Sequence, residues 1–248
     1  MFYNENQNGV QVSELFPSLW ATPEELDRAT SACLSRVFLR MFAALLVTAA
    51  AAFAVVESIA LQQFIFGNAY IFYGLIVAEL VFVIAVAAGI NRLSPVAANI
   101  LFFSYAILNG LTISVIFFVY EIGVIYQAFA VTSLMFAGMA LYGTITRRDL
   151  STIGSICFMG LIGVIIASLG NFFFRSDAID SIICYVGVLV FVGLTAYDTQ
   201  RIKRMLRGAH AVSHAEAIQK ISIVGALTLY LDFINLFLKI TRILGKRK

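Results

Sequence analysis

Charge is what this sequence has least of. Asp, Glu, Lys and Arg supply 12% of its 248 residues against 61% that are hydrophobic, and its mean hydropathy is +0.93. A soluble domain is about a quarter charged, so the composition excludes that class and implies a polytopic membrane protein. Cysteine is scarce too: Cys33, Cys157 and Cys184 form no CxxC pair. They read as free, buried, small apolar side chains with no metal or redox site implied. The two histidines, His210 and His214, lie four apart in one connection, with Glu216 nearby. That spacing reads as a solvated helix face, because a metal site would need further ligands. No nucleophile–base constellation is present, so an enzyme is not expected. No basic stretch leads into a short apolar core with a small-residue cleavage site, so no signal peptide is read. The basic residues fit a membrane topology, which leaves nucleic-acid binding unsupported.

What is present is a succession of apolar runs of about 20 residues, the length that crosses a bilayer. They predict spans near residues 37–60, 69–90, 96–119, 124–145, 152–174, 178–200 and 218–240. The expected organisation is a polar, cytoplasmic N-terminal tail over 1–36, a seven-helix membrane domain over 37–240, and a basic C-terminal tail over 241–248. Pro23, followed by Glu24, Glu25 and Asp27, marks a helix start with acids placed well on its dipole, read as a short surface helix leading into the first span. Connections are short and leave no room for a soluble domain. Ala106, Gly110 and Ser114 repeat at four-residue spacing, as do Gly163 and Ala167, a pattern that lets membrane helices pack closely.

Lysine and arginine set the orientation. The N-terminal tail and the even-numbered loops hold Arg28, Arg36, Arg92, Arg147, Arg148, Arg201, Lys203, Arg204 and Arg207, while the opposite side, through the sixth span, holds Arg175. The N-terminus is therefore expected in the cytoplasm. A seventh crossing would put Arg242, Lys246, Arg247 and Lys248 outside, against the rule, unless the last segment re-enters without crossing; seven crossings is the reading adopted.

An ionised carboxylate at mid-membrane costs about 2.5–3.5 kcal/mol on insertion scales, so intramembrane acids are functional candidates that need partners. Glu57 lies near a span end and reaches the interface. Glu79 is near the middle of the second span, either lining a watery path or bonding a neighbouring helix. Asp232 shares a helical face with Asn235, and the 3.6-residue period adds Gly225, Thr228 and Lys239 to that polar stripe. Such a helix belongs inside a bundle. Asp198 would sit about 7 Å inside the sixth span and Asp232 about 15 Å inside the last, so antiparallel neighbours with a small tilt bring them together. Two carboxylates there would share a proton and titrate as a coupled pair. When ionised they attract a hard cation, with backbone carbonyls, Thr195 or Asn235 as added oxygen ligands for calcium; a structural hydrogen-bonded pair is the alternative. Arg92 is either the cation that engages Asp198 and closes a cytoplasmic exit or an ordinary interfacial anchor. Glu79 and Arg92, 13 residues apart, point to different sides of their helix.

The sixth span ends GLTAYDTQRIK (Gly193–Lys203), the last contains LYLDFINLF (Leu229–Phe237), and Glu79 precedes a basic exit at Arg92. In these pieces the chain resembles the Bax inhibitor-1 family, the transmembrane Bax-inhibitor-motif proteins, over about residues 37–240. The resemblance implies an all-α, seven-transmembrane-helix bundle with the C-terminal helix at its centre. It also implies a pH-sensitive calcium leak with Asp198 and Asp232 as a di-aspartyl sensor and Arg92 as the latch of the closed form. Some bacterial members are linked to modulation of a membrane-bound protease. The chain departs from the family pattern by a longer connection, RMLRGAHAVSHAEA, between the aspartate blocks, and by a stretched spacing from Glu79 to Arg92. The expected protein is a monomer in the lipid bilayer of a bacterial inner membrane. It holds no tightly bound cofactor, and calcium is its permeant or weakly bound ion. The alternative is an interaction protein that restrains a membrane protease or another membrane partner. A proton-coupled transporter fits the acids but lacks the internal repeat such folds often carry.

Overall fold

The computed structural model describes residues 22–89, 93–211 and 215–245, and the regular structure among them is entirely α-helical. The helices are α1 (Pro23–Glu57), α2 (Ile59–Phe66), α3 (Ala69–Gly89), α4 (Pro95–Ile113), α5 (Ile116–Val119), α6 (Ile122–Ile145), α7 (Ser151–Phe174), α8 (Asp177–Ala211) and α9 (Ala215–Leu244). The start of α1 follows from its sequence. Thr22 accepts from the Glu25 N–H while the Glu25 carboxylate accepts from the Thr22 N–H at 2.8 Å, a capping box with Pro23 in the first turn. Ser94 caps α4 by accepting from the Ala97 N–H at 3.2 Å, with Pro95 in the first turn and without the reciprocal bond.

Six helical stretches are long and apolar enough to span a membrane, or seven with the pair α2–α3, which bends by 83°. Contacts between helices settle how the chain runs. Arg40 and Asn99 line one cavity, Thr48 bonds Ala106, and Gly110 packs on Thr48 and Ala51, so α1 and α4 are parallel. The chain must therefore return between them. Its vehicle is α3, whose 21 residues reach about 30 Å, the thickness of the hydrocarbon core. Along the sequence, α8 meets α9 at Ile202–Gly225, Gly187–Lys239 and Asp180–Arg242, which makes that pair antiparallel. The same logic makes α6 antiparallel to α9 (Phe136 on Phe233, Phe129 on Phe237) and α7 antiparallel to α8 (Gly154 on Tyr197, Gly160 on Val190). Seven crossings result, with α1, α4, α7 and α9 starting from one end, called here the near end.

The last segment does not re-enter, in line with the seven crossings adopted, and the bend lies at the second span instead. α9 is one unbroken helix of 30 residues, while Gly67 and Asn68 separate α2 from α3. The short surface helix expected at Pro23 is also not separate: it runs into the first span as one helix of 35 residues. The sixth span likewise runs on to Ala211. Both exceed the core thickness and project from the near end, where Arg207 pairs with Asp27 at 3.6 Å and His210 Nε2 lies 3.3 Å from Cys33 Sγ. His210 thus docks on α1 rather than sitting on a solvated face; His214 lies outside the described residues.

α9 is the centre. It packs against α1, α4, α6 and α8, and 67% of its most apolar window is buried against 17% for α7, which rests on α8 at the rim. Of the two small-residue stripes, Ala106, Gly110 and Ser114 are buried and pack as expected. Gly163 and Ala167 do not; they face outward, and nothing lies within 4 Å of where a Gly163 Cβ would stand. A Cβ at Gly143, by contrast, would collide with the Ala196 backbone of α8. Gly143→Val is accordingly expected to destabilise the bundle by about 1–3 kcal/mol, with Gly163→Ala close to neutral, as read from thermal melting in detergent. Equal melting of the two variants would contradict this packing.

Candidate functional site

The polar stripe of α9 lies along its seam with α8. Gly225 receives Ile202, Asp232 meets Asp198, and Lys239 stretches its stem across Gly187. Glycine at 225 and 187 removes side-chain bulk where the two helices approach most closely, which brings the carboxylates together. Asp198 and Asp232 are within hydrogen-bonding reach of each other and are 7% and 5% exposed. The second oxygen of Asp232, Oδ2, is buried with no hydrogen-bond partner. Arg201, one turn along α8, acts electrostatically on Asp198. Arg92, the expected latch, lies outside the described residues.

The longer connection does not disturb this meeting. α8 continues to Ala211 and α9 begins at Ala215, so most of the added sequence lengthens the two helices at the near end and leaves their register alone. Thr195 is fully buried beside Asp198 but gives its hydroxyl proton to the Phe191 carbonyl at 2.8 Å. Asn235 donates to the Leu231 carbonyl at 2.8 Å and opens, with Lys239, onto a cavity of about 620 Å³ that lies between α3, α4, α5, α7 and α9 and is lined by no residue of α8. Glu79, Asn109 and Thr112 form its other wall.

Glu79 is therefore no isolated acid. It accepts from Thr112 and, at 3.4 Å, from Asn109 Nδ2; Asn109 Oδ1 accepts from the Tyr230 hydroxyl at 3.0 Å; and that hydroxyl lies 2.6 Å from Thr48 Oγ1. This chain ties α3, α4, α9 and α1 together. Tyr230 is two residues from Asp232 and so points to nearly the opposite side of α9, into an edge-on cluster with Phe102 and Tyr105. Glu57 ends α1 and is exposed, as expected. At the far mouth Arg242 pairs with Asp180 at 2.9 Å, and both line a second cavity of about 360 Å³ with Arg175.

Residues that motif reading passes over fasten the α6–α7 loop to α8 at the near end. Gln200 Oε1 accepts from the Leu150 N–H at 3.0 Å and its Nε2 donates to the Arg148 carbonyl at 2.8 Å. Lys203 donates to the Thr144 carbonyl at 2.9 Å, and Arg204 pairs with Asp149 at 3.0 Å. The GLTAYDTQRIK block thus holds an aspartate of the pair and two fastenings of the α6–α7 loop, Gln200 and Lys203, with Arg204 directly after it. Their signal was available: Gln200, Lys203 and Arg204 follow Asp198 at helical spacing. Asp149 is held down at about 2 by the Ser151 hydroxyl and N–H, and then by Arg204. A carboxyl lowered on folding adds stability that is complete above its unfolded pKa, about 3.9, and is lost as pH falls toward about 2. Amide exchange at Leu150 is therefore expected to show no loosening of this loop from about pH 8 down to about pH 5, with opening only below about pH 4. Opening between pH 6 and 8 would overturn that assignment.

No cluster of three or more His, Cys, Asp or Glu side chains gathers among the described residues. A calcium ion takes six to eight oxygens, so at the aspartate pair it would keep much of its water.

Comparison with known proteins agrees with this architecture. The family model described as "Inhibitor of apoptosis-promoting Bax1" matches residues 30–248. The inner membrane protein YbhL of Escherichia coli is 46% identical over 215 residues, which is 87% of this chain and 92% of that protein. An uncharacterized protein of Borreliella burgdorferi is 41% identical over the same shares, and one of Deinococcus radiodurans is 39% identical over 70% of this chain and 74% of its own length. With that coverage, and with the two aspartate blocks meeting across the α8–α9 seam, the chain is an integral membrane protein belonging to the Bax inhibitor-1 family.

Proposed function

We propose that the chain is a pH-sensitive calcium leak channel whose gate is the Asp198–Asp232 pair. The observation that carries this reading is the pair itself: two buried carboxyls in contact across the central seam, with one oxygen unpartnered. Loss of the shared proton adds negative charge to a dry site, and a divalent cation is a ligand that matches it. Calcium is the cargo here, drawn past Asn235 toward Asp232. The near end is closed by α8 and its hold on the α6–α7 loop, with Arg201 or Arg92 as the competing cation for Asp198.

The basic residues concentrated at the near end support a cytoplasmic N-terminus, and the name of the Escherichia coli relative supports a bacterial inner membrane. Chemistry on a bound substrate has no part in this reading. The test is calcium entry into dye-loaded liposomes at about pH 6 and about pH 8; a folded protein with no flux above empty liposomes at either pH sinks it. A second reading, restraint of a membrane protease, is favoured by one feature, the joined ends of α1 and α8 that project from the near end. It predicts that Asp27→Arg, which breaks the Arg207 pair, impairs capture of the protease and spares any leak.

A further inference from the structure

A third cavity, unrelated to the aspartate seam, opens between α1, α4 and α9 at the near end. It measures about 280 Å³ and is lined by Arg40, Asn99, Gln219 and Ile223, with Val96 and Ile100 at its rim. Two polar atoms on its walls are buried without a partner: Arg40 Nη1 and Asn99 Oδ1. A guanidinium N–H shut away from water and from acceptors is costly, and among the described residues no carboxylate lines the space to neutralise it. Turning the Asn99 amide by half a rotation exchanges its oxygen and nitrogen, so Asn99 can present a donor beside Arg40. Gln219 adds a second amide from the opposite wall. The N-terminal turn of α4 points its positive dipole end the same way. Three side-chain donors, one of them cationic, therefore converge on an open space that holds no carboxylate among the described residues.

The rim identifies the source of the anion. Val96 and Ile100 are 70% and 62% exposed, and on a membrane-embedded helix that exposure is to acyl chains. A ligand that fills this site must be anionic at its inner end and apolar along Val96 and Ile100. We propose that the Arg40–Asn99–Gln219 cavity binds the phosphate of an anionic phospholipid, with the headgroup inside and one acyl chain along the α4 rim. Basic pockets between transmembrane helices on the cytoplasmic side are a known way to hold such headgroups. The site would clamp the near ends of α1, α4 and α9 together, one turn below the loop that precedes α4.

The test uses the full chain in detergent, with phosphatidylglycerol, phosphatidylcholine or inorganic phosphate added singly and retained adducts read by native mass spectrometry. Phosphatidylglycerol is expected to be retained in preference to phosphatidylcholine, and inorganic phosphate is expected to compete weakly. Arg40→Gln should weaken that retention by about tenfold or more, the loss of a charge-assisted hydrogen bond. Arg36→Gln, an exposed arginine one turn away, should leave it unchanged. Where Arg40→Gln fails to fold, Gln219→Leu, at an exposed position, takes its place and should weaken retention several-fold. Equal retention of the two lipids by the wild type overturns the site, as does equal retention by wild type, Arg40→Gln and Gln219→Leu. Tight inorganic phosphate binding without lipid preference overturns the assignment to lipid.

Discussion

Asp232→Asn is expected to remove most of the calcium flux and all of its dependence on pH, and Asp198→Asn is expected to do the same. The reason is electrostatic. A unit charge at about 4 Å is worth about 4 kcal/mol at an effective dielectric of about 20, and the pair sits in a part of the protein with 7% and 5% exposure. An amide offers the same shape and a hydrogen bond, so the fold survives, but it offers no charge to release. Even a third of that energy is a tenfold change in cation occupancy. Each single variant should therefore lose about tenfold or more in entry rate and give equal rates at about pH 6 and about pH 8. The double variant should be no worse than either single one, since the two act as one titrating unit. If one aspartate can be replaced with the pH response intact, the pair is not the sensor. Asp149→Asn serves as the control: its carboxyl is held at about 2 by Ser151 and Arg204 and does not titrate in this range.

Tyr230→Ala should be the most damaging single change to the bundle outside the glycines. The ring is fully buried, stands edge-on to Phe102 and Tyr105 at 5.8 Å, and its hydroxyl joins Thr48 to Asn109. Deleting a buried aromatic costs about 3–5 kcal/mol in soluble cores. In lipid there is no water to drive the ring inward, and packing with interhelical hydrogen bonds does the work, so about 3 kcal/mol is the expected loss. Tyr230→Phe keeps the ring and leaves Asn109 Oδ1 without its donor, for about 1–2 kcal/mol. Melting in detergent orders the three proteins: wild type, then Phe, then Ala. A Tyr230→Ala protein that melts with the wild type would remove the ring from its place at the centre.

How much of this was legible in the sequence follows from what each signal measures. Apolar run length finds spans, and it found each of them. It is blind to where a helix stops once it has left the bilayer, so α1 and α8 came out short by several turns. It left Gly67 and Asn68 in the connection before the second span, which does start at Ala69, but it gave no sign that Ile59–Phe66 ahead of them forms a helix of its own. The polar stripe of α9 was readable from period alone, and its partner helix was readable from the GLTAYDTQRIK block. The depth of Asp198 against Asp232 was not, since the connection between them looks like a loop in one dimension and is mostly helix in three. Arg40 and Asn99 escaped notice for a related reason: a polar side chain inside a span is judged by its neighbours, and those come from α4 and α9, far along the chain.

The position of α9 also bears on how the protein is made. It is synthesised after the six crossings it must stand among, so a membrane already holding α1, α4, α6 and α8 has to receive their core last. Until Ala215–Leu244 emerges, Thr48, Asn109 and Asp198 face one another or lipid with no Tyr230 or Asp232 to meet, and the stripe of α9 itself is a poor substrate for insertion on its own. The shell must stay open on one side long enough for a polar helix to slip in, which makes the nascent protein a natural client for whatever shields unpaired polar groups during membrane insertion.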